Sequence, residues 1–358
     1  MATALHFFLG ANSGGGFQSL FGQLSGRTDF YDLMILKGGP GTGKSTFMKQ
    51  IGQDLEAAGE PVEYIHCSGD PEGLDAVLMP GLACGVVDGT APHLLDTQFP
   101  AAVDRIVDLG RFCDLTAAKA AREEIIAWTG RCQAAYCRAF HSLRAAREVE
   151  RDAMDNAASA FDANRARRRV EGIAGRELRR SGNAGQGRTA RRFLGGLTCQ
   201  GWVWRFDSVD ALCPKIYELA DRWELAGEPL EQLRRAAVGR GWDVIACMAP
   251  ENPARMEHLL IPGLGLAFVS TRPDMERDAR PYRRIRLDAM TQPEGKARAR
   301  FSLRLAGELR REAEEALADA KRAHDALEAL HNPYVDFDGV RKLAAAETGR
   351  LLSWRTRR

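Results

Sequence analysis

The chain has 358 residues, 45% apolar and 27% charged, with 36 glycines and 15 prolines, a composition that builds a real hydrophobic core and excludes a fibrous or disordered polymer. Fifty basic against 48 acidic side chains leave a formal charge of +2, which argues against a dedicated nucleic-acid or membrane-surface binder. No run of 18 apolar residues occurs and MATALHFFLGANSGGGF lacks a basic start and a cleavable apolar segment, so the reading is a cytoplasmic protein with no membrane association; the eight dispersed cysteines form no C-x-x-C pair and are read as free thiols.

In chain order, DLMILK (32–37) predicts a short buried strand, followed by GGPGTGKST and an amphipathic helix from about Ser45 to Ala58. VEYIHC (62–67) predicts a second strand. A polar turn, SGDPEG, leads into LDAVLMPGL, read as helical, and LACGVVD (82–88) gives a third apolar strand closing on an acid. Alternating strands and helices indicate an α/β core with a mostly parallel sheet. From Leu115 to about Arg180 the texture becomes Ala, Arg and Glu, predicting long helices broken near Asp155 to Ala163. A similar stretch runs from about Glu294 to Leu330; solvated helices packing on each other is the plainer account of both. SGNAGQGR (181–188) reads as a connector.

Self-comparison reveals a duplication. A shift of 182 lays residues 59–89 on 241–271 without a gap, with eight identities including Pro71/Pro253, Leu78/Leu260 and the Pro80-Gly81-Leu82/Pro262-Gly263-Leu264 triplets. FLGANSGGGF (8–17) resembles FLGGLTCQGW (193–202), and MDNAASAFDA (154–163) resembles LHNPYVDFDG (330–339) through the Phe161-Asp162 and Phe337-Asp338 pairs. The expected organisation is two pseudo-symmetric lobes: residues 1–180 (sheet core about 1–114, helical extension about 115–180), the linker 181–188, and residues 189–358 (core about 189–290, extension about 291–358).

Gly38 to Ser45 matches G-x-x-x-x-G-K-[ST] between a strand and a helix. Glycines let backbone N–H groups wrap a polyphosphate, the helix N-terminus adds positive charge, Lys44 can reach the β- and γ-phosphates and Ser45 can ligate Mg²⁺. The phosphate-binding set is Gly39, Pro40, Gly41, Thr42, Gly43, Lys44, Ser45 and Thr46. Asp88, at a strand end, is the expected second metal ligand beside Ser45. At the 182 shift, Lys44 falls on Ala226, Ser45 on Gly227 and Asp88 on Ser270, so the second lobe is expected to keep the fold without the Mg-nucleotide site.

The GGPGTGKST loop, the DGTAPH segment and the FLGANSGGGF opening resemble the P-loop nucleoside triphosphatase superfamily, and more closely a bacterial ATPase family built from two tandem P-loop units. The resemblance implies the fold and a bound nucleotide. Family members often carry a phosphate loop in each half, from which ADRWELAGE (220–228) departs.

An N-K-x-D base-reading segment is absent, which favours ATP by elimination. Asp70 to Gly73 matches D-x-x-G but reads as a turn. No Glu follows Asp88, so the water-activating group is open among Asp70, Glu72, His66 and His93, with His66 and Asp70 preferred. Arg105, Arg111 and the basic region Arg165 to Arg192 can supply a charge to a γ-phosphate, though each also fits a solvated helix. The C-terminal RTRR is uninformative. The expected function is Mg-dependent ATP binding in the N-terminal unit with slow or partner-regulated hydrolysis; the alternatives are a phosphotransferase acting on a small acceptor held between the lobes, and a nucleotide-binding scaffold without turnover.

Overall fold

Strand-length runs of buried residues with alternating partners set the architecture of the computed structural model, which describes residues 4–182, 185–273, 275, 277, 279–291 and 296–355. The first lobe contains β1 (Ala4–Phe8), the hairpin β2 (Gly10–Ser13) and β3 (Gly16–Ser19), β4 (Asp32–Lys37), α1 (Lys44–Ala57), β5 (Val62–His66), β6 (Leu74–Met79), β7 (Cys84–Asp88) and β8 (Asp104–Asp108). Its sheet runs β1-β5-β6-β7-β4-β8, parallel except that β6 is antiparallel to both neighbours. A one-turn helix α2 (Leu115–Ala118), the long α3 (Arg122–Ser159) and α4 (Ala163–Glu177) follow. The second lobe repeats the order with β9 (Thr189–Arg192), the hairpin β10 (Gly195–Thr198) and β11 (Gly201–Trp204), α5 (Phe206–Leu212), β12 (Lys215–Ala220), α6 (Gly227–Val238), β13 (Val244–Ala249), β14 (Asn252–Ile261), β15 (Leu266–Thr271), β16 (Arg283–Arg286), α7 (Lys296–His331) and α8 (Phe337–Arg355). Its sheet, β9-β13-β14-β15-β12-β16, has the same order, with the antiparallel strand in the same place.

The period of two along each strand sends alternate side chains to two different cores. Leu33, Ile35, Ile65, Leu78 and Val87 face a core shared with Ile216, Cys247, Leu260, Ala267 and Val269 of the other lobe. Met34, Leu36, Val62, Val77 and Val86 face the opposite way, onto Phe47, Met48, Ile51 and Leu55 of α1. Phe8 and Phe193, the equivalent residues of the two hairpin openings, bond each other reciprocally, with N–H to carbonyl distances of 2.9 and 2.8 Å. A residue paired with its own counterpart marks a pseudo-two-fold axis.

The helices cross that axis. In the antiparallel α3–α7 pair, Cys132 near the start of α3 meets Ala320 late in α7, and Asp152 meets Arg298. Ala139, Ala146, Ala313, Ala316 and Ala320, all buried, let the two helices approach closely. The tails are exchanged: Val340, Ala344 and Leu351 of α8 complete the core of the first lobe, and Val170, Ile173 and Ala174 of α4 complete that of the second. Charge follows the exchange. Arg350 and Glu347 of α8 pair with Asp32 and Arg105, whereas Glu177 of α4 takes Lys215 at 2.7 Å and Tyr217 at 2.6 Å.

Two sequence expectations need correcting. LDAVLM is strand β6 rather than helix: six consecutive buried residues between β5 and β7 are covered on both faces, which removes the alternation that betrays a half-exposed strand. The Phe-Asp pairs are not equivalent either. Asp162 caps α4 and Asp336 accepts the Gly339 N–H at the start of α8, and Phe161 and Val335 make the matching bridges to Thr291 and Cys113. The helix break itself falls at residues 160–162, inside the expected interval. Residues 183–184 of the connector, 294–295 at the expected start of the second helical stretch, and 356–358 of RTRR lie outside the described residues.

Candidate functional site

The glycine-rich loop leaves β4 at Lys37 and enters α1 at Lys44. Gly41 and Gly43 have φ of +73° and +84°, a left-handed backbone that a Cβ would strain and that glycine takes freely. Lys44 folds back over it, Nζ donating to the carbonyls of Gly38 and Gly39, both at 2.9 Å, and lying 3.8 Å from Asp88 Oδ2. Thr42 is buried and its hydroxyl donates to Gly39 O at 2.8 Å; Thr46 is exposed on the first turn of α1. Ser45 Oγ accepts the Leu74 N–H at 3.0 Å, which ties the helix start to β6. Asp88 ends β7, its Oδ1 accepting from Thr90 N–H at 2.8 Å and Thr90 Oγ1 at 2.6 Å. The other carboxylate oxygen faces Lys44.

The sequence reading missed Asp75. The antiparallel register pairs Ala76 with Val87, and one step further sets Asp75 across from Asp88, so two carboxylates stand side by side at adjacent strand ends. Asp75 is 4% exposed, and its Oδ1 lies 3.3 Å from His93 Nε2. Burial opposes protonation of His93, but Asp75, with Asp88 behind it, overrides that and raises its pKa above the usual histidine value. Asp75 Oδ2 and His93 Nδ1 are both buried without a hydrogen-bond partner. The 182 shift lays Asp75 on Glu257, acid on acid, which was the available signal.

The preferred water-activating candidates hold other partners, although the Asp75 charge also acts on His66. His66 Nε2 is 3.0 Å from His6 Nδ1, while its Nδ1 is 2.7 Å from Pro71 O and 3.1 Å from Arg205 Nη2. Burial, then the Arg205 charge, push His66 down to about 4. Asp70 pairs with Lys321 of α7 at 3.4 Å. Asp70 to Gly73 is the expected turn, closed by Gly73 N–H to Asp70 O at 2.8 Å, with the Glu72 N–H donating to Asp70 Oδ1. Of the candidate arginines, Arg105 is taken by Asp32 and Glu347, Arg111 lies over Phe112, Arg167 pairs with Glu171, and Arg192 is buried against Glu63.

In the second lobe the loop after β12 reaches α6 at Gly227. Strand and helix superpose with a shift of 183, not 182, because the α6 segment is shorter than α1; Lys44 therefore matches Gly227 and Ser45 matches Glu228, while Asp88 still matches Ser270. The charged groups of the first loop are absent, and three carboxylates have arrived, Asp221, Glu224 and Glu228. Asp221 accepts the N–H groups of Leu225 at 2.6 Å and Ala226 at 2.8 Å, the counterparts of Thr42 and Gly43. Burial pushes the Asp221 carboxyl up to about 6 against those two bonds. Glu224, the counterpart of Gly41, keeps the left-handed backbone at φ +58°. Its carboxylate takes Arg147 at 3.1 Å, Arg255 at 3.1 Å and Arg272 at 3.4 Å. Burial alone would raise its pKa, and the arginines hold it low. A cavity of about 750 Å³ opens beside this loop, lined by Glu224, Glu228, Arg234, Arg255 and Met256 among others.

The fold and site therefore define a two-lobed α/β protein with one glycine-lined, Lys- and Asp-bearing strand-to-helix loop and one counterpart filled by its own carboxylates. Comparison of the chain with known protein-family models, with curated proteins and with solved structures returned no match. No helix among the described residues is long and apolar enough to cross a membrane.

Proposed function

We propose that the first lobe binds a Mg-nucleoside triphosphate, ATP by elimination of a guanine-reading segment, and hydrolyses it slowly, while the second lobe is a brace that binds none. The observation that carries this reading is internal to the chain. Where the second lobe sets the Asp221 carboxylate on two helix-start amides, the first lobe has the amides of the matching residues Thr42 and Gly43, the former on a long 3.4 Å bond to Gly39 O, with glycines at the left-handed positions and a lysine folded over the loop. An anion already sits at this place in one copy, and the other copy is shaped to take one from solution.

The donor set fits Mg²⁺. Ser45 Oγ and Asp88 are hard oxygen ligands, and the buried, unpartnered Asp75 Oδ2 is an orphan that a cation or its water would satisfy. When bound, Mg²⁺ neutralises charge on the terminal phosphates. Lys44 would leave the Gly38 and Gly39 carbonyls for the phosphates, since both are backbone acceptors with weaker claims than an anionic oxygen. The proton of an attacking water needs an acceptor, and beside Asp88 the His93–Asp75 pair, rather than His66 or Asp70, would take it with the imidazole neutral, a form that the raised pKa makes less populated and that fits slow turnover. The exchanged tails and the α3–α7 pair are the elements through which a protein partner would sense the nucleotide.

Phosphate release from Mg-ATP tests the reading. Wild type is expected to turn over slowly, Lys44→Ala and Asp88→Asn to lose the activity, and His93→Gln to fall about 100-fold or more. A rate unchanged by Lys44→Ala would contradict it.

A further inference from the structure

The pseudo-two-fold relation makes the self-filled second lobe a template for the first lobe with ligand, an argument that rests on the triphosphate reading above. Three cations hold Glu224: Arg255 and Arg272 belong to the second lobe itself, but Arg147 comes from α3, on the first half of the chain. At the 182 shift Arg255 and Arg272 fall on Gly73 and Thr90, which carry no charge. Arg147 lies fifteen residues before the capping Asp162, and fifteen residues before the equivalent Asp336 is Lys321 of α7. Only the cation delivered by the opposite half has a cationic counterpart.

Lys321 reaches the first lobe. Its Nζ is 3.4 Å from Asp70 Oδ2, on the turn between β5 and β6, and 2.5 Å from Asp325 Oδ1 on its own helix. The end of α7 lies over the glycine loop, where a Cβ on Gly41 would come within 3.1 Å of Glu328 O and Asn332 Oδ1. We infer that Lys321 is the second cation for the terminal phosphate of the nucleotide bound in the first lobe, supplied by the second half of the chain, and that its transfer from Asp70 to that phosphate couples the nucleotide state to the α3–α7 pair. The transfer is inexpensive. Lys321 is 28% exposed and Asp70 33%, and ion pairs that wet are weak, whereas Arg147 is fixed by the buried Glu150 and by Glu224, whose side chain is 9% exposed. A nucleoside diphosphate lacks the phosphoryl group that would draw Lys321 away.

Calorimetric titration with Mg-ATP and Mg-ADP of wild type, Lys321→Ala, Lys321→Arg and Asp70→Asn tests this. Wild type is expected to prefer ATP, Lys321→Ala to lose about tenfold of that preference, and Lys321→Arg to keep it, because an arginine serves at the counterpart position. Asp70→Asn, which removes one of the lysine's two carboxylate partners and leaves Asp325, should raise the preference. An ATP-to-ADP ratio in Lys321→Ala equal to that of wild type, or a wild type that binds both nucleotides equally, overturns the inference and leaves the nucleotide site standing. A wild type that binds neither overturns both.

Discussion

The glycine loop of the first lobe and its counterpart in the second hold the same place between strand and helix and differ in what fills it. Gly41 and Glu224 are both left-handed, at φ +73° and +58°, and α1 and α6 follow β4 and β12 in the same order, but Gly43 before α1 is left-handed at φ +84° where Ala226 before α6 has a helical φ of −70°. In one loop Lys44 is met by two carbonyls and, at 3.8 Å, by Asp88; in the other, Asp221 and Glu224 answer the amides and three arginines. Electropositive strand-to-helix corners must be answered either by a solute or by the chain, and this protein does one of each.

The contrast can be broken most forcefully at Glu224. Its removal takes a shared carboxylate from Arg147, Arg255 and Arg272, which keep Glu150 and Glu257 as partners, so Glu224→Ala should cost about 3–5 kcal/mol in chemical denaturation. Glu224→Gly should be milder than Glu224→Ala by about 1 kcal/mol, since glycine relieves the left-handed backbone. Equal losses would show that the φ is not strained. Asp221→Ala exposes two helix-start amides to a buried, empty place and should cost about 1–3 kcal/mol; a loss near zero would mean that the carboxylate is not needed there.

The smallest effect sharpens the first lobe. Because the folded pKa of His93 lies above its usual 6.5, the stability that its pairing with Asp75 contributes is fully present below the unfolded value and is lost as pH rises through the folded one. Denaturation of wild type and His93→Gln from about pH 5 to about pH 9 should show a gap that closes toward alkaline pH. A gap that widens instead would mean that the pair is not ionic.

The parts legible in the sequence were those where local chemistry leaves no choice. Gly38 to Ser45 announces its loop because glycine takes a left-handed backbone without the strain that Glu224 carries at the counterpart of Gly41, and the PGL triplets at 80–82 and 262–264 announce the duplication because each makes the same 3-10 turn. LDAVLM was illegible as a strand because burial on both faces erases periodicity. Asp75 was hidden within that error: on a helix it has no reason to face Asp88, and only the β6–β7 register brings them together. The tail exchange was beyond reach for a different cause, since amphipathic α4 and α8 specify that they bury a face but not on which lobe; Glu177 against Lys215 and Arg350 against Asp32 supply that choice only once the strands are placed. His66 drew attention as a histidine at a strand end, where the structure uses it to hold His6 and Arg205 together.

One titration addresses the central contrast directly. Calorimetry of Mg-ATP into the intact chain should give a single site per chain, abolished by Lys44→Ala and untouched by Glu228→Ala at the counterpart of Ser45. Two sites per chain, or binding that survives Lys44→Ala, would contradict the assignment of the first loop to a solute and the second to the chain itself.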